Sequence, residues 1–217
     1  MDAAPDRTSA RFAQQAIYRG LSNRYRAAAD DIDRLINAAY RIIARDGTVD
    51  VKIRDLLSEA DISTQNFYRY FPTKDEFFLV LLEDGQQQLL SYLRHRVAAQ
   101  RDPRKRVQAI VESLLAQAED ADASVRTRPF LVHKARLAQD LARWDRDPSA
   151  EIVDFVRHEI AAARVDSGVS GADNAADAEF TVHLALAVME RHILAGTKPA
   201  AAEKSALVDY CLRALQI

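Results

Sequence analysis

Residues 31–82 read DIDRLINAAYRIIARDGTVDVKIRDLLSEADISTQNFYRYFPTKDEFFLVLL, and the apolar spacing in this stretch decides the fold. Leu35, Ala38, Ala39, Ile42 and Ile43 recur at helical intervals, and Asp46-Gly47 closes that helix. Ile53, Leu56, Leu57 and Ala60 form the apolar face of a second helix. Ser63 reads as the N-cap of a third, four residues before Phe67 and the Tyr68-Tyr70-Phe71 cluster. Thr73-Lys74-Asp75-Glu76 is a capping box that opens a fourth. Only Asp61, Ile62 and the Ser63 cap join the second helix to the third, and helices linked so tightly meet at a large angle. Ile62 is placed to plug the corner. Thr64, Gln65, Asn66 and Arg69 leave the third helix with a polar outer face, whose amide and guanidinium groups suit the base edges of a major groove.

The pattern resembles the DNA-binding region of the TetR family of bacterial transcriptional regulators. The matching run is Gly47, Leu56-Leu57, Ala60-Asp61-Ile62-Ser63, Phe67-Tyr68-Arg69-Tyr70-Phe71 and Lys74-Asp75-Glu76-Phe77. Two residues depart from the family pattern. Asp61 replaces the usual Gly at the turn, so a left-handed backbone is expected at a residue that tolerates it. Lys52 replaces a capping Thr, which leaves Asp50 to cap the second helix from slightly further upstream. The resemblance implies base contacts from Arg54, Thr64, Gln65, Asn66 and Arg69. It implies phosphate contacts, which position without reading sequence, from Lys52, Tyr68 and Lys74. Packing beneath the head is the plainer role for Phe67, Tyr70 and Phe71.

The rest of the chain is helical by composition. Its 217 residues include only six Gly and six Pro, and no convincing apolar-polar alternation marks a strand. An all-α architecture follows, with an N-terminal extension (1–30), a helix-turn-helix head (31–78) and a helical ligand-binding and dimerisation domain (79–217). The extension carries Arg7, Arg11, Arg19, Arg24 and Arg26 on an amphipathic helix from about Ala10 to Ala29. It is either a helix packed on the head or an arm that touches DNA, as basic N-terminal arms can. The fourth helix runs from Lys74 to about Ala99, with a bend expected at Gly85. Asp102-Pro103 starts a fifth, ending near Ala121. Residues 122–147 read as one helix or two short ones, and Asp147-Pro148 starts another. The last two span about 172–195, ended by Gly196, and 198–215.

A net charge of −2 is no bar to a nucleic-acid partner, because a small head can carry its few phosphate contacts while an acidic body offsets them. Cys211 is the only cysteine, so there is no intrachain disulfide framework. The N-terminus lacks the apolar core of a secretory signal, and the longest apolar run, Phe77 to Leu82, is too short for a membrane span. A cytoplasmic protein is expected. Glu179 and His183 share a helix face, yet the paired Glu-x-x-His motif of a carboxylate-bridged metal bundle is missing. Phosphate loops, zinc spacings and nucleophile elbows are missing too. The resemblance implies a regulator, and the missing motifs leave no sign of an enzyme, a cofactor or a metal. A helical-bundle enzyme or a protein-interaction module with a merely structural head is the rival reading.

In the family the two terminal helices pair with those of a second subunit. The resemblance thus implies a homodimer joined through the stripes at Leu184, Val188, Ile193, Leu207, Cys211 and Leu215, although periodicity alone shows only that these faces are buried somewhere. A pocket is expected between the C-terminal helices, where bundles place ligands, near Tyr92, Phe130, His133, Trp144, Phe155, Phe180 and His183. Such a lining suits an apolar small molecule with a polar or acidic group. Double-stranded DNA with a palindromic operator is the partner expected of two heads related by a two-fold axis.

Overall fold

The structure is a computed structural model that describes residues 7–133, 147 and 149–217, with side chains from residue 18 onward. Trp144 lies outside the described residues. Every regular element among those described is an α-helix. In chain order these are α1 (Arg7–Asp46), α2 (Ile53–Ala60), α3 (Thr64–Tyr70), α4 (Lys74–Ala98), α5 (Pro103–Ala116), α6 (Ala121–Val132), α7 (Ala150–Asp166), α8 (Asn174–Ala195) and α9 (Ala201–Ala214). They divide into two compact units, one of residues 1–45 and 50–74, the other of residues 46–49 and 75–217.

In the first unit the expected apolar positions are the buried ones. Leu35, Ala38, Ala39 and Ile43 of α1 are wholly covered, as is Phe67 of α3, and Leu56, Ala60 and Ile62 are nearly so. Gly47 ends α1 with φ 68°. Asp61 holds φ 54° and ψ 50° and donates its backbone N–H to the Leu57 carbonyl, so the left-handed corner forms on a non-glycine residue. Ser63 caps α3 by accepting from the Asn66 N–H at 3.2 Å. The α2 cap differs from expectation. Lys52 occupies the N-cap position without a side-chain cap bond, while the Asp50 carboxylate accepts from Lys74 Nζ at 3.0 Å. An ammonium partner attracts a carboxylate more strongly than a neutral N–H does. The extension and the first head helix, expected as separate helices, are one: α1 runs unbroken for 40 residues.

The second unit is a bundle around a large apolar core. Leu90 and Leu93 of α4, Ile110 and Leu114 of α5, Val156 and Ile160 of α7, Val182 of α8 and Cys211 and Leu212 of α9 all belong to it. Gly85 does not interrupt α4. A glycine costs a helix about 1 kcal/mol against alanine, and burial of Phe77, Leu81, Leu90 and Leu93 outweighs that several-fold at about 1.5–3 kcal/mol per large side chain. α5 starts as expected, with Asp102 accepting from the Arg104 and Lys105 N–H groups. It stops at Ala116, short of Ala121, because Asp120 serves instead as the cap of α6 and accepts from the Ala123 N–H at 2.7 Å. Gly196 closes α8 with φ 67°.

One charged residue is built into this core. Arg164 is 4% exposed. It donates to the Leu215 carbonyl at 3.2 Å, to Asn174 Oδ1 at 2.6 Å and to Asp177 Oδ2 at 2.5 Å. A buried guanidinium needs its donors satisfied, and these partners tie α7 to the start of α8 and to the chain end. At the other end of α8, the His192 ring lies 2.8 Å from both Thr197 Oγ1 and Glu203 Oε2, which clamps the α8–α9 turn.

Candidate nucleic-acid interface

α3 has two distinct sides. Phe67 points inward and stacks with Phe71 at 5.5 Å between ring centroids. Thr64, Gln65, Tyr68 and Arg69 are exposed on the opposite side. The helical period puts these four on one face. On α2, Arg54 extends into solvent and pairs with the adjacent Asp55 at 3.2 Å. Lys52 is exposed as well. Lys74 is only partly exposed and pairs with Asp50, so a phosphate would have to share or displace that carboxylate.

Asn66 and Tyr70 have a different setting from the other α3 residues. Both turn toward α1 and meet one carboxylate, Asp31. The Tyr70 hydroxyl donates to Asp31 Oδ2 at 2.7 Å, and Asn66 Nδ2 donates to the same oxygen at 3.4 Å. Arg34 donates to Asp31 Oδ1 at 2.6 Å. Arg69 in turn donates to the Tyr70 hydroxyl at 2.8 Å, with its guanidinium carbon 5.0 Å above the Tyr70 ring. A chain of polar contacts therefore runs from α1 to an exposed arginine of α3. The Tyr70 hydroxyl is the main cause that holds the Asp31 carboxyl below its ordinary value; partial burial opposes it, and the Arg34 guanidinium adds to it. Tyr70 is thus not plain packing: its ring is half-buried and its hydroxyl works as a relay. Arg34 also reaches the Ala60 and Asp61 carbonyls at 3.4 Å, and Arg41 pairs with Glu59 at 2.8 Å, so α1 braces the corner itself. Asp31 and Arg34 were not among the residues singled out from sequence. Their only signal there is an acid and a base on the first helix, which says nothing of a partner some 35 positions away.

The C-terminal candidates are scattered by the fold. Phe180 is 69% exposed and His183 is exposed one turn later on α8. Tyr92 is exposed on α4, while Phe130 and His133 are half-buried at the end of α6. Phe155 packs partly against the core, with Arg94 6.0 Å from its ring. These described candidates sit on four different helices, α4, α6, α7 and α8. A cavity of about 440 Å³ lies between α4 and the start of α7. Leu79, Leu82 and Ile152 line it, with Glu83, Asp147 and Glu151 supplying carboxylates. Of the residues expected to face a second subunit, Ile193, Leu207, Cys211 and Leu215 are buried in the chain's own core, at most 9% exposed. Leu184 and Val188 are partly covered. The outward apolar residues on these helices are Phe180, Leu194 and Tyr210.

Among the described residues no group of three or more His, Cys, Asp or Glu side chains is arranged to hold a metal ion. No helix among them is long and apolar enough to cross a membrane.

Comparison with known proteins bears on the same region. Residues 35–81 match the family described as bacterial regulatory proteins, tetR family. Over 180 residues the chain is 26% identical to the HTH-type transcriptional regulator BetI of Brucella canis, with 81% of this chain and 86% of BetI covered. Two solved structures share the fold. A putative TetR-family regulator from Rhodococcus superposes with a TM-score of 0.65 at 15% identity, over 87% of this chain and 97% of that one. RolR in complex with resorcinol does so with a TM-score of 0.62 at 18% identity, over 88% and 89%.

Proposed function

Since this chain belongs to the TetR family and is a DNA-binding transcriptional regulator, we propose that it acts as a homodimeric repressor, released from a palindromic operator by a small molecule. The exposed α3 face of Thr64, Gln65, Tyr68 and Arg69 carries the proposal. Gln65 and Arg69 are the base readers, with Arg54 and Thr64 at the margins. Asn66 reads a base only if it turns from Asp31. Tyr68, Lys52 and Lys74 hold phosphates. Two heads reading one duplex face need centres about 34–36 Å apart, one turn of DNA. The second subunit is taken to cover Phe180, Leu194 and Tyr210, with Leu184 and Val188 at the edge of the contact.

The effector is assigned to the cavity beside α4. Its apolar wall suits an apolar body, and three carboxylates favour a neutral or cationic polar group over an acid. RolR was solved with resorcinol, which supports a small ligand. Lys74, the first residue of α4, belongs to the head unit, and the helix continues into the cavity wall. A ligand there weakens DNA binding only by its differential affinity for two head arrangements.

Selection of bound fragments from a genomic library tests this. One inverted-repeat motif should emerge, and sedimentation should give two chains per duplex. A monomer that enriches no motif would refute it.

A further inference from the structure

Residues 7–30 form the part of α1 that the function above does not use. The family match begins at Leu35, which is also the first buried residue of α1 among those described. From Tyr18 to Arg34 no side chain is buried. Helices of this length in water are normally held by packing of one face, and here Tyr18, Leu21 and Tyr25 are 74%, 58% and 78% exposed. Their spacing of three and four continues, along the same helical face, into Leu35, Ala39 and Ile42, which pack in the head. The core-facing side of α1 thus runs on past the head with none of the described residues burying it.

Charge selects the occupant. Residues 7–29 contain five arginines and none of the chain's 32 acidic residues, although the chain as a whole has a net charge of −2. Arg19, Arg24 and Arg26 are exposed. Pairing this segment with a second copy would set arginine against arginine. A polyanion does the reverse. The segment is also tied at its base to α3, through the Asp31 bonds to Tyr70 and Asn66. At 1.5 Å per residue it is roughly 35 Å long, about one turn of duplex.

We propose that the N-terminal half of α1 lies along the DNA backbone next to each half-site, with Arg19, Arg24 and Arg26 on phosphates and the Tyr18 and Tyr25 hydroxyls as supplementary donors. Such contacts add affinity and salt dependence without reading bases. They lengthen the footprint beyond the base pairs that α3 touches. The proposal rests on the chain being a DNA-binding regulator.

The test uses the full chain on its selected operator, as wild type, as Arg19→Ala/Arg24→Ala/Arg26→Ala, and as the matching triple Lys variant. Circular dichroism checks that all three are equally helical. Removing one arginine–phosphate pair lowers the slope of log affinity against log salt by about 0.9, so the Ala variant should fall by up to about five across two chains. It should also lose hydroxyl-radical protection outside the half-sites, and trimming the flanking base pairs should weaken wild type but not the variant. The Lys variant should restore slope and footprint. An Ala variant with unchanged slope and footprint overturns the proposal. So does one that loses only its affinity for anionic phospholipid vesicles, or only its oligomeric state; those results would make the helix a membrane or self-association surface. If wild type enriches no operator at all, the regulator assignment fails, and this proposal with it.

Discussion

Removing one oxygen tests the link between α1 and the reading face. In Tyr70→Phe the ring stays, and so does the stacking of Arg69 at 5.0 Å. What goes is the donor to Asp31 at 2.7 Å and the acceptor for Arg69 at 2.8 Å. Hydrogen bonds to charged groups contribute about 1.5–3 kcal/mol. The Asp31 side chain is 14% exposed and keeps Arg34, so the lower end applies, and urea unfolding at pH 7 should show a loss of about 1.5 kcal/mol. The pH dependence follows from the lowered pKa of Asp31. A carboxyl depressed in the fold contributes stability that is complete above its unfolded value, near 3.8, and lost as pH falls through the lower folded value. Tyr70→Phe removes the largest cause of that depression. The gap between the two proteins should therefore be widest at neutral pH and narrow below pH 3.8. Operator affinity should fall about two- to tenfold, because ordering the freed Arg69 on the duplex costs about 0.5–1.5 kcal/mol. Equal stability at pH 7, or a gap that does not change with acid, would refute the relay.

Four further outcomes can be checked. Gln65→Ala and Arg69→Ala should each shift the preferred operator by ~1–3 kcal/mol at one base pair; an unchanged preference in a randomised-operator selection would remove them from the reading face. Lys74→Ala should weaken all duplexes alike and lower the salt slope by about 0.9 per subunit, with no change in preference. Arg164→Ala strands Asp177 and the Leu215 carbonyl and should cost about 3 kcal/mol in chemical unfolding; a cost below about 1 kcal/mol would deny the clamp its role. Burial raises the Cys211 thiol pKa, so an aromatic disulfide reagent at neutral pH should leave the thiol untouched until denaturant is added.

The head was readable because its signals are local. Ser63 caps its own helix, Gly47 closes one by its φ, and an aspartate at position 61 tolerates the left-handed corner. Each needs only its neighbours in sequence. Where a distant group entered, sequence was silent. Asp50 had the makings of a cap, but Lys74, 24 positions on, holds its carboxylate. Asp31 finds Tyr70 across 39 residues. The boundary between α5 and α6 was blurred because Ala116 to Ala121 reads as helix throughout, and only the Asp120 cap breaks it. Apolar stripes at Ile193 and Cys211 announced burial without saying against what; Ile193 packs with Ala118 and Met189, and Cys211 lies in the main core. The cavity is formed by helices far apart in sequence, so no periodicity could point to it.

The division of α3 between free and tethered side chains has a further consequence for how such a protein could change its target. Positions 64 and 65 present exposed side chains, so a new recognition sequence can be acquired there one substitution at a time. Asn66 and Tyr70 share one acceptor on another helix. A swap at either takes a donor from that acceptor unless position 31 changes as well. Within seven residues the helix holds both an open vocabulary and a locked grammar, and attempts to redirect this protein to a new promoter should begin with the former.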